Sequence, residues 1–299
     1  MLLIMSKSSS TIQQSVTQTK SKPFLKWVGG KSQLLEQFEP YFSDAFNNNH
    51  VKRYLEPFVG GGAVFFHLSN TLRIQENSIL YDNNEDLINT YQIVRDHLDE
   101  LILTLSVHQK MHDREYYYKI RGQDRDPNLK LSNIERAART IYLNRTCYNG
   151  LYRVNSKDQF NVPMGSYKNP KILHEDILLS ASTALQKTII EPRDFEFVLD
   201  LAKSGDFIYF DPPYDPLSKT SSFTSYTANN FLDSDQQRLA EVYSTLSSRG
   251  CHCMLSNSYT PFILDLYRDF RIETVRAVRA VNSDPNGRGA IDEVLVLNF

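Results

Sequence analysis

Four consecutive residues, Asp211-Pro212-Pro213-Tyr214, combine one acceptor carboxylate, two prolines that fix the backbone and one aromatic face. That set suits a poor nucleophile, above all the exocyclic amine of a nucleobase, whose lone pair is delocalised into the ring. Such an amine needs acceptors for its N–H groups and a clamp for its plane. The tetrapeptide follows Asp206-Phe207-Ile208-Tyr209-Phe210, a run that predicts a buried strand. It therefore leaves the carboxyl end of a strand, the edge at which open α/β sheets bind ligands. Taken alone, the same residues also describe a proline-rich turn with a helix-capping Asp. Their neighbours separate the two readings.

Glu56-Pro57-Phe58-Val59-Gly60-Gly61-Gly62 sits where a predicted strand turns into a helix. Glycines there let the backbone approach a ligand, and the helix N-terminus adds unpaired N–H groups. The three glycines are consecutive, unlike the separated glycines of the dinucleotide fingerprint. Asp82 lies 20 residues after Gly62, at the end of the next predicted strand. An acid in that place takes the hydroxyls of an adenosine ribose. Phe24-Leu25-Lys26-Trp27-Val28-Gly29-Gly30-Lys31 sets the only tryptophan beside two glycines and two lysines, with no helical or strand period. A tryptophan packed on a glycine turn is the plain alternative. In Glu191-Pro192-Arg193-Asp194-Phe195, Asp194 suits an adenine amino group and Phe195 its ring, unless Asp194 simply caps a helix.

The elements that must position these groups alternate. Predicted strands cover Arg53–Glu56, Ser78–Tyr81, Lys187–Ile190, Asp206–Phe210 and Cys251–Ser256, with terminal strands near Arg271–Ala277 and Val294–Asn298. Predicted helices start near Ser32 and cover Ala63–Leu68 and Ser234–Ser248. From Asn84 to about His174 helical patterns dominate, over Asp86–Leu105, Arg114–Arg121 and Asn133–Asn144. A hairpin-like stretch follows around Asn155-Ser156-Lys157-Asp158. The pattern implies an α/β domain in two pieces, 22–84 and 175–299, with a mainly helical insertion over 85–174 and a disordered polar leader over 1–21.

The composition is ordinary for a soluble globular chain, with 41% apolar and 23% charged residues. No segment reads as a bilayer span or a secretory signal. Three cysteines make no disulfide framework, and Cys251-His252-Cys253 lacks the second cluster a zinc site needs. At i, i+2 spacing both thiols face one side of a strand. A reducing, cytoplasmic location and no metal are expected. The net charge of −2 excludes a uniformly basic surface, but not a local one. Between Arg136 and Lys171, seven basic residues stand against Asp158 alone, a local charge of +6. Tyrosines and asparagines are interleaved with them, a mixture suited to phosphate and base-edge contact.

In these motifs and their order, from about Phe24 to the C-terminus, the chain resembles the Dam-type DNA adenine-N6 methyltransferases, the group that methylates adenine in GATC. The resemblance implies a Rossmann-like, S-adenosylmethionine-dependent catalytic domain with an inserted target-recognition domain. Trp27 and Lys31 would line the cofactor pocket, with Phe58, Gly60 and Gly62 over the methionine end. Asp82 would bind the ribose, and Asp194 and Phe195 the adenine. Asp211, at the junction of cofactor and target, and the Pro212 carbonyl would each accept one N6–H of a flipped-out adenine. Pro213 would stiffen the loop, Tyr214 would stack on the base, and Phe223 would form a second wall.

The segment Asn144–Asn155 with Phe160-Asn161-Val162-Pro163 resembles the GATC-reading hairpin of that family. Arg153 would then hold a guanine by O6 and N7. Leu151 would wedge into the base stack, Asn149 would face the orphaned thymine, and Pro163, Tyr167 and Asn155 would add contacts. Lys26 would reach the outer guanine. The implied partner is double-stranded DNA, the implied state a monomer, and a restriction endonuclease of the same site a functional companion. Ser156-Lys157-Asp158-Gln159 departs from typical members, and the polar leader goes beyond the compact pattern. Relatives acting on cytosine N4 or a protein glutamine more often carry Ser or Asn where this chain has Asp211. A catalytically silent DNA-binding protein and a dinucleotide oxidoreductase are the readings of other classes.

Overall fold

The computed structural model describes residues 19–48, 51–74, 78–216, 231–278 and 290–299. The expected leader up to residue 18, and Phe223, lie outside the described residues. Residues 19–21, the last of that expected leader, are described. Ser21 is buried, and its N–H and hydroxyl both donate to Asn70 Oδ1 at 2.9 Å.

The first half of the chain forms helix α1 (Leu35–Asn48), strand β1 (Tyr54–Glu56), α2 (Ala63–Asn70), β2 (Ser78–Asp82), α3 (Glu85–Asp96), α4 (Leu98–Met111), α5 (Arg114–Gly122) and α6 (Asn133–Thr146). The second half forms α7 (Glu175–Leu185), β3 (Thr188–Pro192), α8 (Val198–Leu201), β4 (Phe207–Phe210), α9 (Asp233–Ser248), β5 (His252–Ser258), α10 (Pro261–Leu266), β6 (Arg271–Val278) and β7 (Ala290–Leu297). The strands make one sheet in the order β3-β2-β1-β4-β5-β7-β6. β3 to β5 run parallel, and β7 is antiparallel to both β5 and β6. Winding proceeds outward from β1 to β3, then restarts at β4 on the other side of β1. The reversal opens a crevice between the loops leaving β1 and β4. This is the Rossmann-like α/β architecture expected.

Side chains alternate across the sheet because successive Cβ atoms point to opposite faces. On β4, Phe207 and Tyr209 join one core with α1 to α7, while Ile208 and Phe210 join a second with α8 to α10. Burial on both faces explains why the strands read as continuous apolar runs. The inserted helices have no separate interior. Tyr117, Ala137, Ile141, Phe160 and Val162 belong to the same apolar cluster as Phe207 and Leu295 of the sheet. Cys251 and Cys253 both lie in the second core, on one side as expected. Among the described residues, no helix is long and apolar enough to cross a membrane.

The helix expected over Asp86–Leu105 is broken at His97, at φ −135° and ψ 44°. Helix α3 is tied along the sheet edge, with Gln92 Nε2 donating to Ile190 O at 2.8 Å and Arg95 Nη1 to Thr188 O at 2.7 Å. Helix α4 starts afresh, with Asp99 and Glu100 in its first turn, and packs on α6 and α7. Hydrophobic periodicity does not register the break, because both pieces turn an apolar face to the same core.

Ile208 is fully buried between Leu55 of β1 and Cys253 of β5. Ile208→Ala is expected to destabilise the fold by about 2–5 kcal/mol. Urea unfolding followed by circular dichroism should show a lowered midpoint with an unchanged slope.

Candidate active site

At the carboxyl edge of the sheet, the face that packs on α1 to α7 turns polar. Glu56 follows Tyr54 in the alternation of β1, Asp211 follows Tyr209 beyond β4, Ser256 follows Met254 on β5, and Glu293 precedes Leu295 on β7. Pairing of Phe210 with Leu255, and of Ser256 with Leu295, sets these strands side by side. Four polar side chains thus point into one crevice.

Asp211 is held within it by two groups on one oxygen. Its Oδ1 lies 2.7 Å from the Lys31 ammonium and accepts from Ser256 Oγ at 3.1 Å. Ser256 Oγ also meets the Tyr209 hydroxyl at 2.9 Å. Oδ2 of Asp211 and the carbonyl of Pro212 have no hydrogen-bond partner among the described residues. Burial raises the Asp211 pKa above the usual carboxylate value, and Lys31 and Ser256 act against that rise. Glu56 is buried and accepts from the Tyr54 hydroxyl at 2.9 Å. Burial pushes its carboxyl well above the ordinary range, and the nearby charges of Asp211 and Asp82 add to that.

Tyr214 is clamped beside this carboxylate. The Lys31 ammonium lies 4.5 Å from its ring centroid, and its hydroxyl donates to Glu293 Oε2 at 2.7 Å. Burial holds the phenol well above its usual pKa, so it remains a donor. The loop itself is bolted to the elements behind it. Gln236 of α9 donates to Pro213 O at 2.9 Å and accepts from Asn257 Nδ2 at 3.0 Å. The Asp215 N–H donates to Asn257 Oδ1 at 3.2 Å, and Thr260 donates to the Asp215 carboxylate at 2.6 Å.

The glycine loop lies across the crevice. Gly60 and Gly62 adopt φ of 45° and 68°, a region that disfavours any side chain. A Cβ on Gly62 would come within 2.6 Å of the Tyr91 hydroxyl, and one on Gly60 within 2.9 Å of the Trp27 indole. Trp27 therefore packs on the glycine turn, and it also stacks on Tyr152 at 5.4 Å. Asp82 accepts from Gly60 N at 3.2 Å and Asn84 N at 3.0 Å. Burial pushes its pKa up to about 6 despite those bonds. Phe58 stacks on Phe195 at 5.4 Å. Asp194 caps the turn after β3 by accepting from Glu196 N at 3.0 Å, and it faces Arg238.

The segment expected as a hairpin is an irregular loop closed by two isolated bridges, Cys147 with Met164 and Val154 with Phe160. Asn149 and Gly150 turn its start through left-handed φ of 54° and 66°. Asn149, Arg153, Pro163 and Tyr167 are exposed, and Leu151 is half-buried against the first core. Arg153 Nε donates to Asn161 Oδ1 at 2.7 Å, and its two terminal nitrogens have no partner among the described residues. Asn155 is engaged within the tip, accepting from Lys157 N and Gln159 N and donating to Gln159. Lys26 is tied to α6 through Asn144, and its ammonium lies 4.7 Å from the Tyr167 ring centroid.

The basic stretch is not one charged face. Arg136 pairs with Asp86, and Arg139 is buried against Ile120 O and Asp124. Arg145 donates to Phe24 O at 2.6 Å. Helix periodicity turns these arginines inward, where backbone carbonyls and acids receive them. The outward charge includes Lys168 and Lys171, which line a cavity of about 420 Å³ together with Lys26, Tyr167, His174 and the inward-tied Arg145.

The sequence motifs had no signal for Ser256, Asn257, Gln236 or Glu293. The nearest is a polar triplet, Ser256-Asn257-Ser258, closing an apolar strand as Asp82 and Asp211 close theirs.

A Rossmann-like sheet with an acidic crevice at its switch point, a glycine loop and an Asp-Pro-Pro-Tyr edge defines a methyltransferase architecture. The chain belongs to the D12 class of N6 adenine-specific DNA methyltransferases, whose family model matches residues 27–281. It is 44% identical over 281 residues to the type II methyltransferase M1.LlaDCHI of Lactococcus lactis, covering 93% of this chain and 95% of that one. It is 45% identical over 290 residues to the type II methyltransferase M.MjaIII of Methanocaldococcus jannaschii, covering 93% and 99%. With a DNA adenine methylase of Vibrio cholerae it shares 35% identity over 281 residues, covering 93% and 96%. The Dam-type kinship implied by the motifs therefore holds, and the enzyme is an adenine-specific DNA methyltransferase.

Because Lys31 restrains the raised pKa of Asp211, its removal should let that pKa climb further. The acid limb of the kcat profile of Lys31→Met should move to higher pH than in the parent. A limb at the parental pH would mean that Lys31 does not set the charge state of Asp211.

Proposed function

We propose that the protein transfers a methyl group from S-adenosylmethionine to N6 of adenine in GATC, with the target base turned out of the duplex into the crevice between β1 and β4. The observation that carries this reading is the pair of open acceptors, Asp211 Oδ2 and Pro212 O, beside the clamped ring of Tyr214. An N6 amine has two N–H groups, and two acceptors on a rigid loop fix its orientation. Within a duplex N6 is out of reach of this edge, which supports extrusion of the base. Extrusion costs a few kcal/mol, and stacking on a ring such as Tyr214 returns roughly 1–3 kcal/mol of it.

The donor set fits S-adenosylmethionine. Left-handed glycines allow close approach, Asp82 at the end of β2 would accept from the ribose hydroxyls, and Phe195 with Phe58 offers apolar faces for an adenine. Asp211 and Asp82 both stand near Glu56, and Lys31 is paired with Asp211, so the crevice holds more acids than bases, a field that favours a cationic ligand. When bound, the cofactor supplies an electrophilic methyl on a sulfonium. Asp211 and Pro212 hold the amine with its lone pair directed at that carbon. Asp211 stabilises the positive charge that develops on N6 as its bond forms, and it is placed to receive the proton that N6 then loses.

For recognition, the open guanidinium fork of Arg153 suits guanine O6 and N7. Leu151 would wedge into the base stack, and Asn149, Pro163, Tyr167 and Lys26 would add contacts. The cavity bearing Arg145, Lys168 and Lys171 suits backbone phosphate. Asn155 acts by shaping the tip. Kinship with type II methyltransferases supports functional pairing with a restriction endonuclease.

Labelled methyl from S-adenosylmethionine should enter duplexes containing GATC and not matched duplexes in which that adenine is replaced. Label in both would keep the adenine chemistry and discard the site. Arg153→Ala should lose about 1–3 kcal/mol of discrimination at one guanine, about 5- to 150-fold in kcat/KM across single-base variants. Unchanged selectivity would remove it from the reading role.

A further inference from the structure

Tyr214 is fixed at more points than a stacking ring requires. Its backbone is held through Pro213 O by Gln236, and one side of the ring faces the Lys31 ammonium. These contacts set where the ring lies, but neither sets its direction within its own plane. The hydroxyl bond to Glu293 Oε2, at 2.7 Å, does that. Glu293 lies on β7, opposite Ser258 of β5, on the sheet face that is otherwise apolar at Leu295 and Leu297. An acid at such a place needs a partner to offset its desolvation, and the phenol provides one. Adjacent strands thus hold the two working ends of the tetrapeptide: β5 the Asp211 carboxylate through Ser256, and β7 the Tyr214 ring through Glu293.

We propose that Glu293 is the positioning residue of the base platform, directing the Tyr214 ring so that an adenine stacked on it presents N6 to Asp211 and Pro212. The inference rests on the reading of Tyr214 as that platform. Glu293 touches no reacting atom in this scheme. Its effect on the base passes through the phenol hydroxyl, and that gives a specific signature.

The experiment compares Glu293→Ala, Glu293→Gln, Tyr214→Phe and the double variant Glu293→Ala/Tyr214→Phe on a duplex that the parent enzyme methylates. Turnover is read at saturating cofactor and DNA, with cofactor affinity by calorimetry and melting temperature alongside. Glu293→Ala and Tyr214→Phe should each lower kcat about tenfold, while cofactor affinity stays within about threefold. The double variant should be no slower than the slower single variant, because both remove one bond. Glu293→Gln, whose amide oxygen still accepts, should recover turnover to within about threefold of the parent. Multiplying losses in the double variant, or parental kcat in Glu293→Ala, would overturn the assignment. Tyr214→Ala separates the two levels: parental turnover there sinks the platform itself, whereas a slow Tyr214→Ala beside a parental Glu293→Ala sinks only the role of Glu293.

Discussion

Lys31, which is buried, and Asp211, which is half-buried, form an ion pair at the carboxyl edge of the sheet, and the rest of the molecule is arranged to permit it. Removing either charge from water costs several kcal/mol unless a partner and further hydrogen bonds compensate. Lys31 has Gly29 O and the Tyr214 face in addition to the carboxylate, and Asp211 has Ser256. The two partners are 180 residues apart in the chain, so the pair draws the segment from Phe24 to Lys31 across the sheet edge. On the way, Trp27 lies over the glycine loop and stacks on Tyr152, and Lys26 is bonded in both directions to Asn144. One electrostatic contact therefore joins the Asp211 edge, the glycine loop and the loop that follows α6.

The crevice obtains its chemistry from a change of polarity along a single sheet face. Where helices cover that face it is apolar, and where the strands end it carries Glu56, Asp211, Ser256 and Glu293. Burial raises the pKa of Glu56, Asp82 and Asp211 alike, the charges of Asp211 and Asp82 raise that of Glu56 further, and Lys31 acts against the rise at Asp211. Such a pocket is preorganised for positive charge developing near its centre, since its dipoles and carboxyl groups need not reorganise when that charge appears.

The inserted helices divide their basic residues between support and surface. Arg139 closes a buried arrangement with Asp124, which in turn accepts from Phe160 N and so anchors the loop that follows. Arg125 secures the same point through Phe160 O. Exposed charge remains on Arg153 and around the cavity of Lys168 and Lys171. A loop that must present side chains to a partner gains accuracy when its base is fixed by buried polar contacts.

The strands, the glycine turn, the strand-end acids and the reactive tetrapeptide were determined by the sequence alone, because each is a local pattern of periodicity or backbone constraint. The family resemblance came from the same local motifs in their order. Several other features were decided only by tertiary structure. The break at His97 depends on where α3 meets β3, a contact across about 90 residues of chain. The inward turn of Arg136 and Arg139 depends on which acids and carbonyls stand opposite them. Ser256, Gln236, Asn257 and Glu293 carry no motif, since a serine at a strand end or a glutamate in an alternating strand is ordinary until its neighbour is known. Strand order supplies that neighbour by setting β5 and β7 beside β4 and bringing hydroxyl and carboxyl groups within hydrogen-bond distance of Asp211 and Tyr214.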